Sequence, residues 1–233
     1  GDSSSFLTPL GREFQGARIG WLGDYSGHLP MQEGVLALCE RALPYFADMG
    51  CKVEAVKPAF DMARLWKAWL TLRGFLVAGA LQPLYADHDR CGLLGPNALW
   101  EIEQGSRLSA LDVYRASCDR TAWYNALCAL FDQFDFLVLP SAQVFPFAVE
   151  DDWPLTIGNQ PMDTYHRWME VVIGGTLAGL PVISVPAGFN PQGLPMGLQI
   201  MGQPRADLDL LHLAHAWQQA TPFAQVRPAL LRR

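Results

Sequence analysis

The stretch "GLPVISVPAGFNPQGLPMGLQIMG", Gly179 to Gly202, decides the fold. It reads as two apolar strands joined by a glycine and proline turn. Alternation along "MGLQIMG" puts Gly197, Gln199 and Met201 on one face and Leu198 with Ile200 on the other, so Gln199 lies among apolar or very small neighbours. A buried amide must find partners for its donors and its acceptor. Gln199 therefore either pins a loop of the scaffold or points into a substrate cavity.

Upstream of this pair, "DFLVLP" is a continuous apolar run of strand length, the pattern of a strand buried on both faces of a sheet. Nearer the start, "RIGWL" is a short strand, Val35 to Met49 carries apolar residues at helical spacing, and "CKVEAV" alternates as a strand. That strand, helix, strand unit packs as a parallel pair with a right-handed crossover, and Pro44 should kink its helix. A very apolar helix covers Asp61 to Leu81, and its Trp66 and Trp69 predict burial on more than one side. "ADHDRCGLLGPN" reads as a loop. Ser109 with Asp112 forms a capping box, after which Tyr114, Cys118, Thr121, Asn125 and Cys128 share one face of a helix ending near Phe134.

From Ser141 to Pro161 the chain is proline-punctuated and aperiodic. Asp163 or Thr164 then caps a helix with Tyr165, Trp168, Met169, Val172, Thr176 and Leu177 on one stripe, and Gly179 ends it. The last helix runs from Asp207 to Ala220, with Leu210, Leu213, Ala214 and Trp217 on its core side. Alternation of strands and helices throughout predicts an α/β fold, a mixed, largely parallel sheet covered by helices on both faces, with no domain boundary.

Composition narrows the function classes. A chain of 233 residues with 50% hydrophobic and 17% charged residues buries a substantial core. The net charge of -6, with Arg232 and Arg233 the only basic cluster, argues against a nucleic-acid partner, whose phosphates demand clustered Lys and Arg. Five cysteines without a C-x-x-C pair point to buried thiols in a reducing cytoplasm rather than to disulfides or zinc. The longest clean apolar run, Phe75 to Leu81, is too short to span a bilayer. A first residue that is Gly rather than Met leads us to expect a segment upstream.

Several chemical motifs fail on inspection. The turn after the first strand, "GWLGDYSGH", lacks the G-x-G-x-x-G that cradles a dinucleotide, and there is no Walker A loop. His212 and His215 have metal-like spacing but no third ligand near in sequence, so surface histidines are the better reading and no cofactor or metal is expected. The serines of "GDSSS" lack the strand-to-helix turn of a nucleophile elbow. Ser141, His166 and Asp163 supply the residue types of a triad, whose geometry sequence does not reveal. The stronger candidate is "LVLPSAQVFPF", which places Ser141, Ala142 and Gln143 just past the carboxyl end of a buried strand, where open α/β sheets form their ligand crevice. An ordinary proline-rich loop is the alternative.

"DFLVLPSAQVFPF", then "LAGLPVISVPAGFNPQGLPMGLQIMGQPRADLDLLHLAHAWQ", and "ARIGWLGDYSGHLPMQEGVLALCERAL" near the start together resemble the carboxyl-terminal part of the amidase signature family, in the expected order over nearly the whole chain. The resemblance implies an α/β/α sandwich around a mixed sheet, with residues 1–233 forming the carboxyl-terminal portion of a single amidase domain. It implies hydrolysis of a carboxylic amide through a serine nucleophile, a second serine in a cis peptide and a lysine, with backbone donors as the oxyanion hole.

The family's lysine-containing segment and glycine and serine rich stretch do not occur in these 233 residues. Catalytic residues are therefore expected outside them, and this chain is expected to be inactive alone. What it is expected to contribute is substrate funnel: Ser141, Ala142, Gln143 and Trp168 as pocket wall and Gln199 as support. A small-molecule amide is the expected partner, together with a second copy of the chain or the missing upstream half. Two alternatives stay open. The A subunit of the glutamine-dependent tRNA amidotransferase is disfavoured because "YHRWMEVVIGG" stands where an Asn-Asp pair and a proline would be more usual. A non-catalytic remnant or assembly module accounts equally for the missing nucleophile.

Overall fold

The computed structural model describes residues 3–226, and the Arg232, Arg233 pair lies outside the described residues. In chain order the elements are β1 (Arg18–Trp21), α1 (Val35–Ala42), α2 (Pro44–Asp48), β2 (Lys52–Ala55), α3 (Met62–Tyr85), α4 (Pro96–Ser106), α5 (Ala110–Phe131), β3 (Phe136–Pro140), β4 (Thr156–Ile157), β5 (Gln160–Pro161), α6 (Ile173–Ala178), β6 (Val182–Phe189), β7 (Pro195–Gly202) and α7 (Asp207–Ala220). Among the described residues they fall into two compact units, one of residues 3–58 with 127–226 and one of residues 59–126, where sequence shows no boundary.

The first unit is built on a five-stranded sheet among the described residues, ordered β2-β1-β3-β7-β6. β1 pairs in parallel with both β2 and β3, while β7 runs antiparallel to β3 and β6, so four strands share one direction. β3 is buried at every position, as its unbroken apolar run requires. β7 alternates as its sequence predicts. Leu198 and Ile200 join Phe136, Val138, Ile19, Leu38, Phe46, Leu213 and Trp217 in the main core with α1, α2 and α7.

The opposite face of β7 carries Gly197, Gln199 and Met201. There α6 comes close because Gly175 has no side chain: a Cβ on it would stand 2.6 Å from Val182 and 3.2 Å from Met201. The sheet thus has helices on both faces.

Proline shapes two elements. Pro44 lacks an amide hydrogen, so α1 closes at Ala42 and α2 begins with Pro44 in its first turn, the kink expected from sequence. Pro186 sits in edge strand β6, where a bulge between Pro186 and Gly188 frees its carbonyl to accept the Trp217 indole N–H at 2.9 Å.

In the second unit the Asp61 side chain caps α3, and the Ser109 and Asp112 capping box starts α5, each side chain bonding the other residue's backbone N–H. α3 and α4 touch at paired glycines: a methyl on Gly105 would collide with the Gly74 carbonyl, which is backbone and does not yield. Glu101, buried on α4, is held by Arg73 of α3 at 3.0 Å. Trp123 of α5 is fully buried and meets the Phe60 ring edge-on at 5.5 Å.

Several sequence expectations need correction. α4 begins at the end of "ADHDRCGLLGPN" and runs on to Ser106, and its Gly95 start offers no side-chain cap that a sequence pattern would reveal. α3 buries Met62, Leu65, Trp66, Ala68, Gly74 and Ala78, which at 100° per residue lie on more than one side of the helix as the tryptophans predict, while Phe75 and Leu76 are exposed. On α5 the face bearing Tyr114, Cys118, Thr121 and Asn125 is the outer one, and Ala116, Trp123, Leu127, Leu130 and Phe131 are the buried positions. Of the five free cysteines only Cys39 and Cys51 are buried, and Cys118 is exposed.

The supposed aperiodic loop contains the β4–β5 hairpin. The helix expected from Asp163 or Thr164 is instead a 3-10 segment, Arg167–Val172, broken at Met169 and followed by α6. The tighter period changes the buried side, which holds His166, Glu170, Val171 and Ile173 rather than the expected stripe. No helix of the described residues is long and apolar enough to cross a membrane.

Candidate functional site

Past the carboxyl end of β3 the sheet opens into a cleft of about 480 Å³. Its floor is the Gly197 face of β7 beside Ser184 of β6, and its walls are Ser141 and Ala142, the loop through Phe145 and Phe147, and Trp168 of the 3-10 segment. Ser141 is fixed by its own N–H, which donates to the Gly197 carbonyl at 2.9 Å. A Cβ at Gly197 would stand 2.7 Å from Ser141 Oγ and 3.2 Å from Ser184 Oγ, so the glycine is what lets two hydroxyls flank one point of the floor. Phe147 meets Trp168 edge-on at 5.4 Å. Behind Trp168 a small cluster of Val144, Ile157 and Met162 with Trp153 supports the wall, so the overlooked hairpin holds an aromatic side chain in place.

Of the residues singled out from sequence, Ser141, Ala142 and Trp168 line this cleft. Gln143 does not: it is fully buried behind the wall. Its Nε2 donates to the Pro30 carbonyl and its Oε1 accepts from the Val171 N–H, each at 3.0 Å. Its backbone is locked as well, since the Gln143 carbonyl accepts from the Gln32 N–H and Gln32 Oε1 accepts from the Phe145 N–H, both at 2.8 Å.

Gln199 is likewise buried and donates from Nε2 to the carbonyls of Pro140 at 2.9 Å and Val171 at 3.0 Å. Two glutamines, Gln143 from the loop after β3 and Gln199 from β7, thus hold both ends of one residue, Val171, and with it the segment that carries Trp168. Of the two roles open for Gln199, these bonds describe the loop pin.

Next to this bracket lies a buried carboxylate that sequence reading overlooked. Glu170 Oε1 lies 3.2 Å from His28 Nε2, and Oε2 accepts from Arg167 at 3.2 Å. Burial pushes the Glu170 carboxyl above its usual range, partly offset by Arg167 and His28. The Tyr25 hydroxyl, itself buried, is pushed up by burial and then by the Glu170 charge. His28 is delivered by a left-handed run in which Gly23, Tyr25, Ser26 and Gly27 all have positive φ; for Tyr25 and Ser26 that conformation is strained. The only sequence signal for this cluster was one acidic residue within the apolar "RWMEVVIGG".

Asp163 is exposed and faces Arg167 at 3.7 Å, and Ser141 Oγ lies at Gly197 and Ser184. Outside the cleft, His212 Nδ1 accepts from the Gly11 N–H at 3.3 Å, and no group of three His, Cys, Asp or Glu among the described residues is placed to hold a metal.

Solved structures that share this fold include amidase signature enzymes. A family model described as Amidase matches residues 2–211, and the chain belongs to this amidase signature family. Fatty acid amide hydrolase of Arabidopsis thaliana is 30% identical over 194 residues, 82% of this chain and 31% of that protein. The A subunit of glutamyl-tRNA(Gln) amidotransferase from Thermodesulfovibrio yellowstonii is 37% identical over 113 residues, 48% of this chain and 22% of that protein. A solved bacterial aryl acylamidase of the family superposes with a TM-score of 0.83 at 25% identity, covering 96% of this chain and 48% of its own. The chain therefore spans about half the length of that structure and less than a third of either curated relative.

Two measurements check the bracket. Gln199→Met keeps the volume but strips two buried carbonyls of their donor, so chemical denaturation should show a loss of about 1–3 kcal/mol; an unchanged midpoint would remove Gln199 from this role. For Glu170 the folded carboxyl titrates above its unfolded value, so its favourable contribution is full at low pH and is lost as pH rises through the raised value. Melting temperatures of the native chain should accordingly fall relative to Glu170→Gln as pH rises from the ordinary glutamate range, and a gap that moves the other way contradicts the assignment.

Proposed function

We propose that this chain is part of an amide hydrolase: it supplies scaffold and substrate-side cleft for cleavage of a carboxylic amide through an acyl-enzyme, and the reactive serines and lysine come from sequence outside these 233 residues. The observation that carries this reading is the cleft at the end of β3, where Ser141, Ala142 and Trp168 line a wall held by Gln143 and Gln199. In the reaction so read, the lysine relays a proton through the bridging serine, the nucleophile attacks the amide carbonyl, and water releases the acyl group. Ser141 acts as wall rather than nucleophile. The residues form a single amidase domain's carboxyl-terminal portion, and their free cysteines support a reducing compartment, the cytoplasm.

The similarity to the A subunit of the amidotransferase favours a second reading, release of ammonia from glutamine for use by a partner protein. The absence of an Asn-Asp pair and a proline before "LAGLP" weighs against it.

Hydrolysis of simple amides is the test. The 233-residue chain alone should show no turnover, and the chain joined to a family segment bearing the lysine and serines should show it; activity of the chain alone that Ser141→Ala abolishes overturns the proposal. The outer edge of β6 has no strand partner among the described residues, and exposes Val182 and Phe189 on an uncharged strand. Such an edge invites pairing, so we expect sedimentation to show an oligomer or a complex with the remaining half. A stable, well-behaved monomer runs against that.

A further inference from the structure

We propose that a small hollow at the carboxyl ends of β1 and β2 binds a free amino acid as its zwitterion, taking the carboxylate on Trp21, Ser26 and Lys57 and the ammonium on Asp24 and Glu40. The hollow shares no residue with the cleft past β3 and lies within the first unit, and its ligand class does not rest on the amide-hydrolase reading.

Topology sets the place. β1 and β2 run in parallel and end side by side at Trp21 and Ala55. Beyond the carboxyl ends of such strands the connections diverge and leave the crevice in which open α/β sheets hold ligands. Here the connections are the left-handed run after β1 and the turn through Lys57 after β2, and Leu36 and Glu40 of α1 close the side. The volume is about 290 Å³, at the small end of ligand sites and enough for one amino acid.

The observation that points to a ligand is the indole of Trp21. This residue is only 8% exposed, yet among the described residues nothing accepts its N–H. Buried indoles ordinarily find an acceptor. Trp217 does, at the Pro186 carbonyl 2.9 Å away. At Trp21 it is Gly23 that leaves the nitrogen uncovered, since a Cβ there would stand 3.4 Å from Nε1. The donor therefore opens on the hollow that both residues line.

The charges around it select what accepts. Lys57 and Glu40 are exposed and form no ion pair among the described residues. Asp24 Oδ1 accepts from the Gly27 N–H at 2.8 Å, which orients the carboxylate. A simple anion entering the hollow meets two carboxylates, and a simple amine meets Lys57 and the indole donor, so each is opposed. A zwitterion answers both signs. Its carboxylate accepts from the indole, the Ser26 hydroxyl and the Lys57 ammonium, and its own ammonium donates to Asp24 and Glu40. Leu36 and Val56 line the remainder and favour a short aliphatic side chain. A ligand so held also ties the two connections together, and the one after β1 delivers His28 to Glu170.

The test follows the indole N–H signals of the 15N-labelled chain by NMR, assigned through bonds so that the core position Trp21 is left unchanged. The probes are L-valine, isovalerate, which lacks the ammonium, and isobutylamine, which lacks the carboxylate. L-Valine should shift the Trp21 signal saturably and leave that of Trp217 in place. Isovalerate and isobutylamine should each bind about fivefold more weakly or worse. Lys57→Met and Glu40→Gln, both at exposed positions, should each weaken L-valine by about two- to fivefold without lowering the melting temperature. Lys57→Met should weaken isovalerate more than isobutylamine, and Glu40→Gln the reverse.

The inference is overturned by the absence of a saturable Trp21 shift with L-valine, by tighter binding of either single-charge probe, or by L-valine affinity indifferent to both substitutions. A shift confined to Trp217 puts the ligand elsewhere and overturns it equally.

Discussion

The constraint on which the rest depends is the burial of the sheet's centre. β3 and β7 pair where almost no water reaches, and every polar group placed there must be answered from within the protein. Gln199 is such a group. Its amide nitrogen satisfies the carbonyl ending β3 and the carbonyl of Val171, while Gln143 satisfies the Val171 N–H from the other side. Because neither amide can turn away without stranding buried partners, the 3-10 segment is fixed to the sheet. Trp168 inherits that fixation and becomes a stable wall of the cleft.

One face of β7 therefore performs three tasks in sequence. Gly197 leaves space for two hydroxyls at the cleft floor, Gln199 ties the neighbouring segment, and Met201 receives α6 where Gly175 permits close approach. The other face, Leu198 and Ile200, belongs to the main core with α1 and α7. A strand that must serve core and cleft at once cannot slip by one residue, since slippage would exchange the two faces. The glycines and the glutamine of "MGLQIMG" are thus different answers to the same register.

The buried Glu170 makes the opposite use of polarity. A carboxylate removed from water is unfavourable unless paired, and here His28 and Arg167 pair it from a strained loop and from its own 3-10 segment. That cluster fastens the loop after β1 to the segment bearing Trp168. The aromatic wall is then held from two directions, by the glutamine amides on the sheet side and by the His28 and Glu170 contact on the loop side.

Sequence by itself determined the elements whose pattern is dictated locally: the α/β class, the buried strand "DFLVLP", the β6–β7 pair, the break at Pro44, the Ser109 and Asp112 capping box and the core stripe of α7. It also pointed to Ser141, Ala142 and Gln143, because a turn past a buried strand is where such sheets bind ligands, whereas Trp168 entered only through the family resemblance. Only the tertiary structure decided which side of α5 and of the 167–178 segment faces inward, since a 3-10 turn changes the period that a helical reading assumes. It alone moved Gln143 from the wall to the bracket behind it and brought Ser184, Gly197 and Phe147 to one cleft. Those residues are distant in sequence, and their meeting follows from strand register and the space around glycine, which no local pattern records.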